Sequence, residues 1–380
     1  MKNNKIFIVT PTFSGDLSRG YEVVLATWVK VLSAQSSVEI VSLSSPSRSQ
    51  AGENLVINVF ETTFISKVLN LMGAILQLQP LQSRIYFNKK AYNYLSQQDK
   101  EKDGIFIFFT LRSHCLSGAV TNCKKVIHAV DCMELNFKGK FHKEKNIIKK
   151  FLYQLEYFLL KKRERGIISD YYRSVFVASR DIEILDTKNS VEIPLVTLPC
   201  DQPYKPRSRK GFVVGMSGNF NYSPNVNAAQ YLIDSVMDIL PRDIQVRIIG
   251  FNAKRFQSSA QRHSNLTIKS NVSDMTAELK KLDVSLAPMQ DGSGMQHKIL
   301  DAMSLGIPVI TNRFGLGSIK AEHNQSVLLY RNTDELVNLI CQLRDNSSLL
   351  HRIGTGGLKI VDSCYSEASV RQKIYAVIND

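Results

Sequence analysis

The chain has 380 residues, of which 44% are hydrophobic and 22% are charged, and its formal net charge is +14. This length exceeds what one hydrophobic core usually supports, so we expect two domains, and the composition excludes a disordered or collagen-like chain. No apolar run is long enough to span a bilayer, and the N-terminus enters a strand directly. These features predict a cytoplasmic protein without a signal peptide.

The positive charge is concentrated in one stretch. Residues 138–165 hold ten Lys or Arg and three Glu. Such a surface favours an anionic partner, namely nucleic acid, anionic lipid or a phosphorylated substrate. Nucleic acid is disfavoured because the stretch lacks interleaved aromatic residues at stacking positions and no reader motif is present. The six cysteines have no C-x-x-C spacing, which argues against a zinc site or a disulfide framework.

Apolar runs separated by helical patterns predict a sheet of the Rossmann kind in the first half. The predicted strands are 6–9, 38–43, 55–60, 105–109, 126–130 and 174–177. A helix is expected at 18–33, and the opening lacks G-x-G-x-x-G, which argues against a nicotinamide cofactor. Residues 64–81 form an unusually apolar segment, for which we expect burial in the domain rather than a position on a bilayer surface.

Polar side chains follow two of the predicted central strands. Arg112 and His114 come after 105–109, and Asp131 comes directly after 126–130. Ligands of open α/β sheets bind outside the carboxyl ends of the strands, so these three residues are the catalytic candidates of this half. The alternative for Asp131 is a helix cap.

A lysine-flanked helix is predicted at 146–165. Its apolar face packs either on its own sheet or on an anionic membrane surface. Residues 198–210 then hold three prolines and no apolar periodicity, which indicates an inter-domain linker. After it, strands are expected at 211–216, 245–249, 266–268, 284–287 and 326–330. Ser223 is the expected N-cap of the first helix of this half, Thr333 caps a later one, and a last helix starts at Ser366.

Residues 288–311 form the most informative segment. A strand ends at Pro288, a glycine-rich turn with Gly292 and Gly294 follows, and a helical pattern runs to Gly306. The turn delivers the chain to a helix N-terminus, whose free N–H groups attract anions. Lys298 lies near the helix start, with Asp301 on the same face. The pair is either a nucleotide grip or a solvated i, i+3 ion pair.

The run G-S-G-M-Q-H-K-I-L-D-A-M-S-L-G-I-P-V-I-T resembles the donor-nucleotide segment of retaining, family 4 glycosyltransferases of the GT-B fold, in the branch written roughly G-x-G-x-x-x-K-x-L-E-A-[ML]-x-x-G-x-P-V-[IV]. Of the two glutamates found in the wider family, the first is replaced here by Ser293 and the second by Asp301. The resemblance implies donor contacts from Gly292, Ser293, Gly294, Met295, Lys298, Ile299 and Asp301.

Two other segments resemble the same branch. Gly15 and Arg19 match its G-x-x-x-R after the first strand, and the loop with Gly218 and Asn219 matches G-x-M-x-Y-x-P-N-x-x-A in outline, without the Arg and Lys phosphate pair of many members. These four residues are therefore also implied in donor binding. At the position of Asp131 the wider family has a histidine that faces the donor sugar.

The resemblance implies an α/β protein with the GT-B fold, in which two Rossmann-like domains face each other across a cleft. Residues 1–200 would bind the acceptor and 211–380 the nucleotide-sugar donor, with the final helix able to pack back on the first domain. No cofactor is expected. Since no D-x-D motif is present, no metal is needed.

The implied function is retaining, metal-independent transfer of a sugar from a nucleotide sugar to a glycan or to a glycan carried on a lipid diphosphate, in synthesis of a bacterial capsule, O-antigen or exopolysaccharide. The protein would be cytoplasmic or peripheral on the inner face of the cytoplasmic membrane. The alternatives are a nucleotide-sugar epimerase of the same fold and a non-catalytic basic module that binds membrane or glycan.

Overall fold

The structure is a computed structural model that describes residues 5–13, 20–44, 54–197, 211–291 and 295–379. The chain divides into two compact units. The N-terminal unit is Met1–Leu195 with Arg371–Asp380, and the C-terminal unit is Val196–Val370. The predicted linker at 198–210 lies outside the described residues.

The N-terminal unit is built on a parallel sheet. Its strands are β1 (Lys5–Thr10), β2 (Val38–Ser42), β3 (Leu55–Val59), β4 (Gly104–Phe109), β5 (Lys124–Val130), β6 (Arg173–Phe176) and β7 (Ser190–Glu192). They lie in the order β3-β2-β1-β4-β5-β6-β7. The central strand β4 reads G-I-F-I-F-F and is buried at five of its six residues, as expected when helices cover both faces of a sheet.

Helices before residue 196 cover this sheet. They are α1 (Gly20–Ser33), α2 (Phe64–Leu76), α3 (Lys89–Asp99), α4 (Met133–Lys143), α5 (Ile147–Ser169) and α6 (Ser179–Leu185). Short 3₁₀ segments at Leu81–Ser83 and Leu111–Ala119 join them to the sheet. Within the described residues, no helix of either unit is long and apolar enough to cross a membrane.

The C-terminal unit repeats the plan with a second parallel sheet. Its strands are β8 (Phe212–Ser217), β9 (Ile244–Gly250), β10 (Leu266–Ser270), β11 (Val284–Ala287), β12 (Val309–Thr311) and β13 (Leu328–Leu329). They lie in the order β10-β9-β8-β11-β12-β13. Both sheets thus contain the strand order of a Rossmann fold, in which the direction of winding reverses beside the first strand.

The helices of the second half are more numerous than the sequence pattern indicates. They are α7 (Ser223–Tyr231), α8 (Gln257–Ala260), α9 (Met275–Leu279), α10 (His297–Ser304), α11 (Arg313–Leu316), α12 (Thr333–Asp345), α13 (Ser347–Ile360) and α14 (Glu367–Asn379). Helix α14 ends in the N-terminal unit, where the Tyr375 hydroxyl donates a hydrogen bond to the Val31 carbonyl at 2.9 Å.

The expected caps of two helices are wrong by one residue. Ser223 is the first residue of α7, which follows Tyr222 and has no side-chain cap. Thr333 likewise begins α12, and the cap is Asn332, whose side chain accepts the N–H of Glu335. In the second case an asparagine next to the predicted threonine satisfies the same free N–H groups.

The expected burial of residues 64–81 is wrong. Helix α2 ends at Leu76, and only Ala74 of its residues is buried, while Phe64 is 81% exposed and Leu76 84% exposed. The large apolar side chains lie on the exposed side of this helix, while the side that faces the rest of the unit carries Ser66, Lys67 and Asn70. Contact with the rest of the unit is largely polar, since the Asn70 amide donates to the carbonyls of Ile85 and Phe87.

A buried carboxylate fixes the turn that precedes β5. Asp99, the last residue of α3, is 2% exposed and accepts backbone N–H bonds from Thr121 at 2.9 Å, Asn122 at 3.0 Å and Cys123 at 2.9 Å. The Asn122 amide adds a further bond at 2.8 Å. One side chain therefore satisfies three backbone donors that the turn cannot pair by itself.

We predict that Asp99→Ala lowers the free energy of unfolding by about 3 kcal/mol or more, because each stranded N–H group costs about 1 to 3 kcal/mol. Denaturant unfolding followed by far-UV circular dichroism measures the change. Asp99→Asn, which keeps one acceptor oxygen, should lose less, and Glu183→Ala at an exposed site of the same unit should change little. Equal stability of Asp99→Ala and the Glu183 control would contradict the assignment.

Candidate functional site

The carboxyl ends of β8 and β11 define a crevice in the C-terminal unit. These two strands are neighbours at the centre of the sheet, and the connections that follow them leave in opposite directions, which makes this the topological switch point where such sheets bind ligands. Gly218 and Asn219 follow β8, and the segment that leads to α10 follows β11. Two of the segments implied in donor binding therefore meet at the crevice.

Lys298 lies in the first turn of α10 and is the central charged group of the crevice. Its side chain is only 8% exposed, and its ammonium donates a hydrogen bond to the Asn225 Oδ1 and lies 3.5 Å from the Met289 Sδ. Burial lowers the pKa of Lys298 to about 8. The ammonium binds Asn225 rather than Asp301, so the predicted i, i+3 ion pair is wrong. Asp301 is exposed on the following turn.

Asn225 is a site residue to which sequence reasoning gave no role. Its Oδ1 accepts from Lys298, and its Nδ2 donates to the Asn219 carbonyl at 2.9 Å. One amide thus joins the loop after β8 to the start of α10. The contact joins positions 73 residues apart, so no local pattern could predict it. The sequence signal for Asn225 was its place after Pro224 in the family motif.

Two glycines allow this loop to approach its neighbours closely. A Cβ at Gly218 would lie 2.9 Å from the Asn225 Nδ2, and one at Gly250, whose φ is +143°, would lie 1.9 Å from the Gly218 carbonyl oxygen. A side chain at Gly250 would force the loop to move, and one at Gly218 would displace the Asn225 amide. Gly218 is therefore required by the packing of the site, whatever contact it makes with a ligand.

The start of α10 has the electrostatic character expected of an anion site. The N-cap Gln296 makes no side-chain hydrogen bond to the first N–H groups of this eight-residue helix. Because free N–H groups and the helix dipole both favour negative charge, Lys298 adds its charge where a phosphate is already favoured. Ile299 is buried in the core and Met295 packs against that core, so their side chains serve packing.

Five of the implied donor residues cannot be placed. Gly15 and Arg19 fall at 14–19, and Gly292, Ser293 and Gly294 fall at 292–294, and both segments lie outside the described residues. Their roles stay predictions.

The N-terminal unit has strained backbone at the ends of two adjacent strands. Thr110, directly after β4, has φ of 62°, and Val130, the last residue of β5, has φ of 72°. For a β-branched residue such as Val130 this conformation is a genuine outlier, and outliers of this kind cluster at functional sites. The strained pair lies where Arg112 and Asp131 leave the sheet.

Asp131 is not the cap of α4. Its Oδ2 accepts from the Asn136 amide at 2.7 Å, while the free N–H groups of Met133 and Glu134 are taken by the Glu164 carboxylate at 2.8 and 2.7 Å. Burial raises the pKa of Asp131, and the Asn136 bond, Lys140 and Arg112 oppose that rise. The helix-cap alternative for Asp131 is therefore wrong.

The structure brings Arg112 close to Asp131 and ties His114 to the core. Arg112 lowers the pKa of Asp131 through its charge, and its Nε donates to the Gln82 Oε1 at 2.6 Å. His114 shares a hydrogen bond of 2.9 Å with the hydroxyl of the buried Tyr171, and burial lowers its pKa to about 4. A neutral imidazole bound in this way serves as a structural link, so Asp131 and Arg112 are the better-placed pair.

Among the residues that the structure describes, no group of three or more His, Cys, Asp or Glu side chains could hold a metal ion. The charged groups described for the two candidate sites are Lys298 in the C-terminal unit, and Asp131 and Arg112 in the N-terminal unit.

Comparison with known proteins agrees with the observed fold. Residues 211–346 match the family model described as Glycosyl transferases group 1. No curated protein matches the chain. The solved structure of HepE from Anabaena in complex with UDP and glucose is similar over 99% of each chain, with 14% identity and a TM-score of 0.67. The lipopolysaccharide outer core galactosyltransferase WaaB is similar over 99% of each chain, with 12% identity and a TM-score of 0.67.

A glycosyltransferase from Rickettsia africae covers 100% of both chains at 14% identity, with a TM-score of 0.68. These structures confirm the predicted α/β class and the GT-B fold. Residues 211–346 of the C-terminal unit are thus similar to group 1 glycosyltransferases, and the protein is a glycosyltransferase.

The buried lysine generates a prediction for pH dependence. If the Lys298 ammonium contacts phosphate, affinity for a nucleoside diphosphate should be constant below pH 8 and should fall above it by up to about tenfold per pH unit, because the ammonium then loses its charge. Titration calorimetry between about pH 7 and 9.5 measures this, in a range where the nucleotide phosphates are already ionised. Lys298→Arg, which stays charged, should abolish the fall. A flat profile for the natural protein would contradict the assignment.

Proposed function

We propose that this glycosyltransferase binds its nucleotide-sugar donor at the crevice of the C-terminal unit, with the diphosphate at the start of α10. The observation that carries the proposal is the ammonium of Lys298, buried beside a helix N-terminus at the switch point of the sheet. A desolvated cation beside free N–H groups suits a diphosphate, because charge-assisted hydrogen bonds are strong away from water.

The proposed reaction moves the sugar to an acceptor hydroxyl with retention of configuration. The bond between the anomeric carbon and the diphosphate oxygen breaks, the acceptor oxygen bonds to that carbon, and the proton of the acceptor hydroxyl passes to the departing diphosphate oxygen. Negative charge then develops on the departing diphosphate, where Lys298 and the N–H groups of α10 stabilise it without a metal ion. Retention is supported by the resemblance to retaining enzymes.

The proposed acceptor is a glycan, free or carried on a lipid diphosphate, in bacterial capsule, O-antigen or exopolysaccharide synthesis. Asp131 and Arg112 at the strained strand ends of the N-terminal unit are the groups proposed to face the reacting sugar. The ten basic residues of 138–165 suit an acceptor with phosphate groups and a location at the inner face of the cytoplasmic membrane.

The donor assignment predicts selective thermal stabilisation. In a panel of UDP-, GDP-, ADP- and CMP-sugars, one nucleotide class should raise the melting temperature, since a ligand stabilises the state that binds it. Lys298→Ala should weaken binding of that donor by roughly tenfold to a hundredfold, because a charge-assisted contact contributes about 1.5 to 3 kcal/mol. Lys359→Ala, at an exposed site on α13, is the matched control. If Lys298→Ala binds the donor as tightly as Lys359→Ala does, the phosphate contact is disproved.

The role of Asp131 predicts a split between turnover and binding. Asp131→Asn should lower kcat far more than donor affinity, because a group that acts mainly in the transition state contributes little to ground-state binding. Initial rates at saturating donor, with calorimetry of the same variant, separate the two effects. Glu134→Gln, three residues away, should keep its turnover. A natural kcat in Asp131→Asn would remove Asp131 from the catalytic site.

A further inference from the structure

Helix α2 and the first half of α5 expose an unusual amount of apolar surface. Twelve of the 21 exposed large hydrophobic side chains of the described residues lie on these two segments, so the exposure is local rather than scattered. We call them the two-helix surface. Its exposed apolar members are Phe64, Ile65, Val68, Leu69, Met72, Ile75 and Leu76 of α2, and Ile147, Ile148, Phe151, Leu152 and Phe158 of α5.

A buried carboxylate ties the segment after α2 to α5. The Glu156 carboxylate, on the inner side of α5, accepts the backbone N–H groups of Leu81 at 2.7 Å and Gln82 at 3.0 Å, in the 3₁₀ segment that follows α2. Glu156 is 1% exposed. The chain that leaves α2 is therefore anchored to the middle of α5 within the N-terminal unit.

The exposed charges within these two segments are positive. Residues 64–84 contain no acidic residue, and residues 145–163 contain six Lys or Arg and only Glu156, which is buried. Lys149, Lys150, Lys161 and Lys162 are exposed. A partner must therefore accept apolar side chains and positive charge at once, and the boundary between the phosphates and acyl chains of an anionic bilayer does both.

The shape of α2 also suits a bilayer surface. The helix has 13 residues, too few to span a bilayer, and Lys67 is its only charged residue. The Lys67 ammonium lies 5.0 Å from the centre of the Tyr86 ring. The remaining exposed side chains of α2 can enter the acyl region without carrying a charge into it.

We propose that α2 inserts its exposed face into the headgroup and acyl boundary of an anionic bilayer, with the exposed lysines of α5 at the level of the lipid phosphates. The inference deepens the proposed function, since a lipid-linked acceptor would then be met by the unit that carries Asp131. Insertion differs from purely electrostatic attraction to the membrane surface, because the apolar side chains of α2 provide part of the binding free energy.

Sedimentation with vesicles tests the insertion. The natural protein should bind vesicles of phosphatidylcholine with phosphatidylglycerol at low salt and leave vesicles of phosphatidylcholine alone. Ile65→Gln with Leu69→Gln should weaken binding at least about tenfold, since a buried Ile or Leu side chain contributes about 1.5 to 3 kcal/mol. Ile184→Gln with Ile239→Gln, two exposed apolar sites elsewhere, is the control. The proposal is overturned if the natural protein does not bind anionic vesicles, or if the α2 variant binds them as tightly as the natural protein does.

A fluorescence probe separates insertion from attraction. Trp28 is the only tryptophan and is 1% exposed, so Phe64→Trp adds one reporter at a site that is 81% exposed. Its emission should shift to the blue on addition of anionic vesicles and be quenched by brominated acyl chains. Emission typical of water in a protein that sediments with vesicles would disprove insertion.

Two further measurements distinguish the remaining outcomes. A stable dimer that Ile65→Gln with Leu69→Gln dissociates in analytical ultracentrifugation would mean that a second copy covers the surface, which overturns the proposal. Donor affinity, measured by calorimetry, should be the same in that variant as in the natural protein. Vesicle binding with no affinity for any nucleotide sugar would overturn the proposed function and support the bilayer inference.

Discussion

The interaction on which the proposed donor site of this protein depends is a lysine ammonium held out of water at the start of a helix. Removing an ammonium from water is costly, and among the residues that the structure describes the Asn225 amide is the strong acceptor that offsets the cost, as the depressed pKa of Lys298 reflects. A phosphate would replace this modest partner with a full negative charge. The site is therefore organised before the ligand arrives. The Asn225 amide also donates to the Asn219 carbonyl, and the close approach of Gly218 and Gly250 fixes the loop that carries Asn219.

The N-terminal unit uses buried carboxylates for a different purpose. Asp99, Glu156 and Glu164 each accept two or more backbone N–H groups and so fix turns and helix starts at long range in the sequence. Because Glu164 caps α4, Asp131 is left free of that duty at the end of a strained strand. The buried carboxylates thus hold the surrounding backbone in place, while the Asp131 side chain itself accepts a hydrogen bond from the Asn136 amide.

Much of the fold could be predicted from the sequence, because parallel strands buried on both faces are continuous apolar runs, as in β4 and β11. The resemblance that includes the glycine turn before Lys298 also pointed to the residues that we propose to bind the donor. Three features could not be predicted. The Asn225 contact joins positions far apart, Glu164 lies among lysines and looks like a solvated charge, and α2 has one apolar face, a pattern shared by a helix that packs on a core and by one that lies on a bilayer.

The most direct measurement is sugar transfer itself. Nucleotide sugars labelled in the sugar would be incubated with the protein and with a lipid extract that contains diphosphate-linked glycans, and both the label in the lipid fraction and the released nucleoside diphosphate would be counted. The account predicts equal amounts of transferred sugar and released nucleotide for one donor, and loss of both in Lys298→Ala. Donor binding without any transfer to a glycan or lipid-linked acceptor would contradict it.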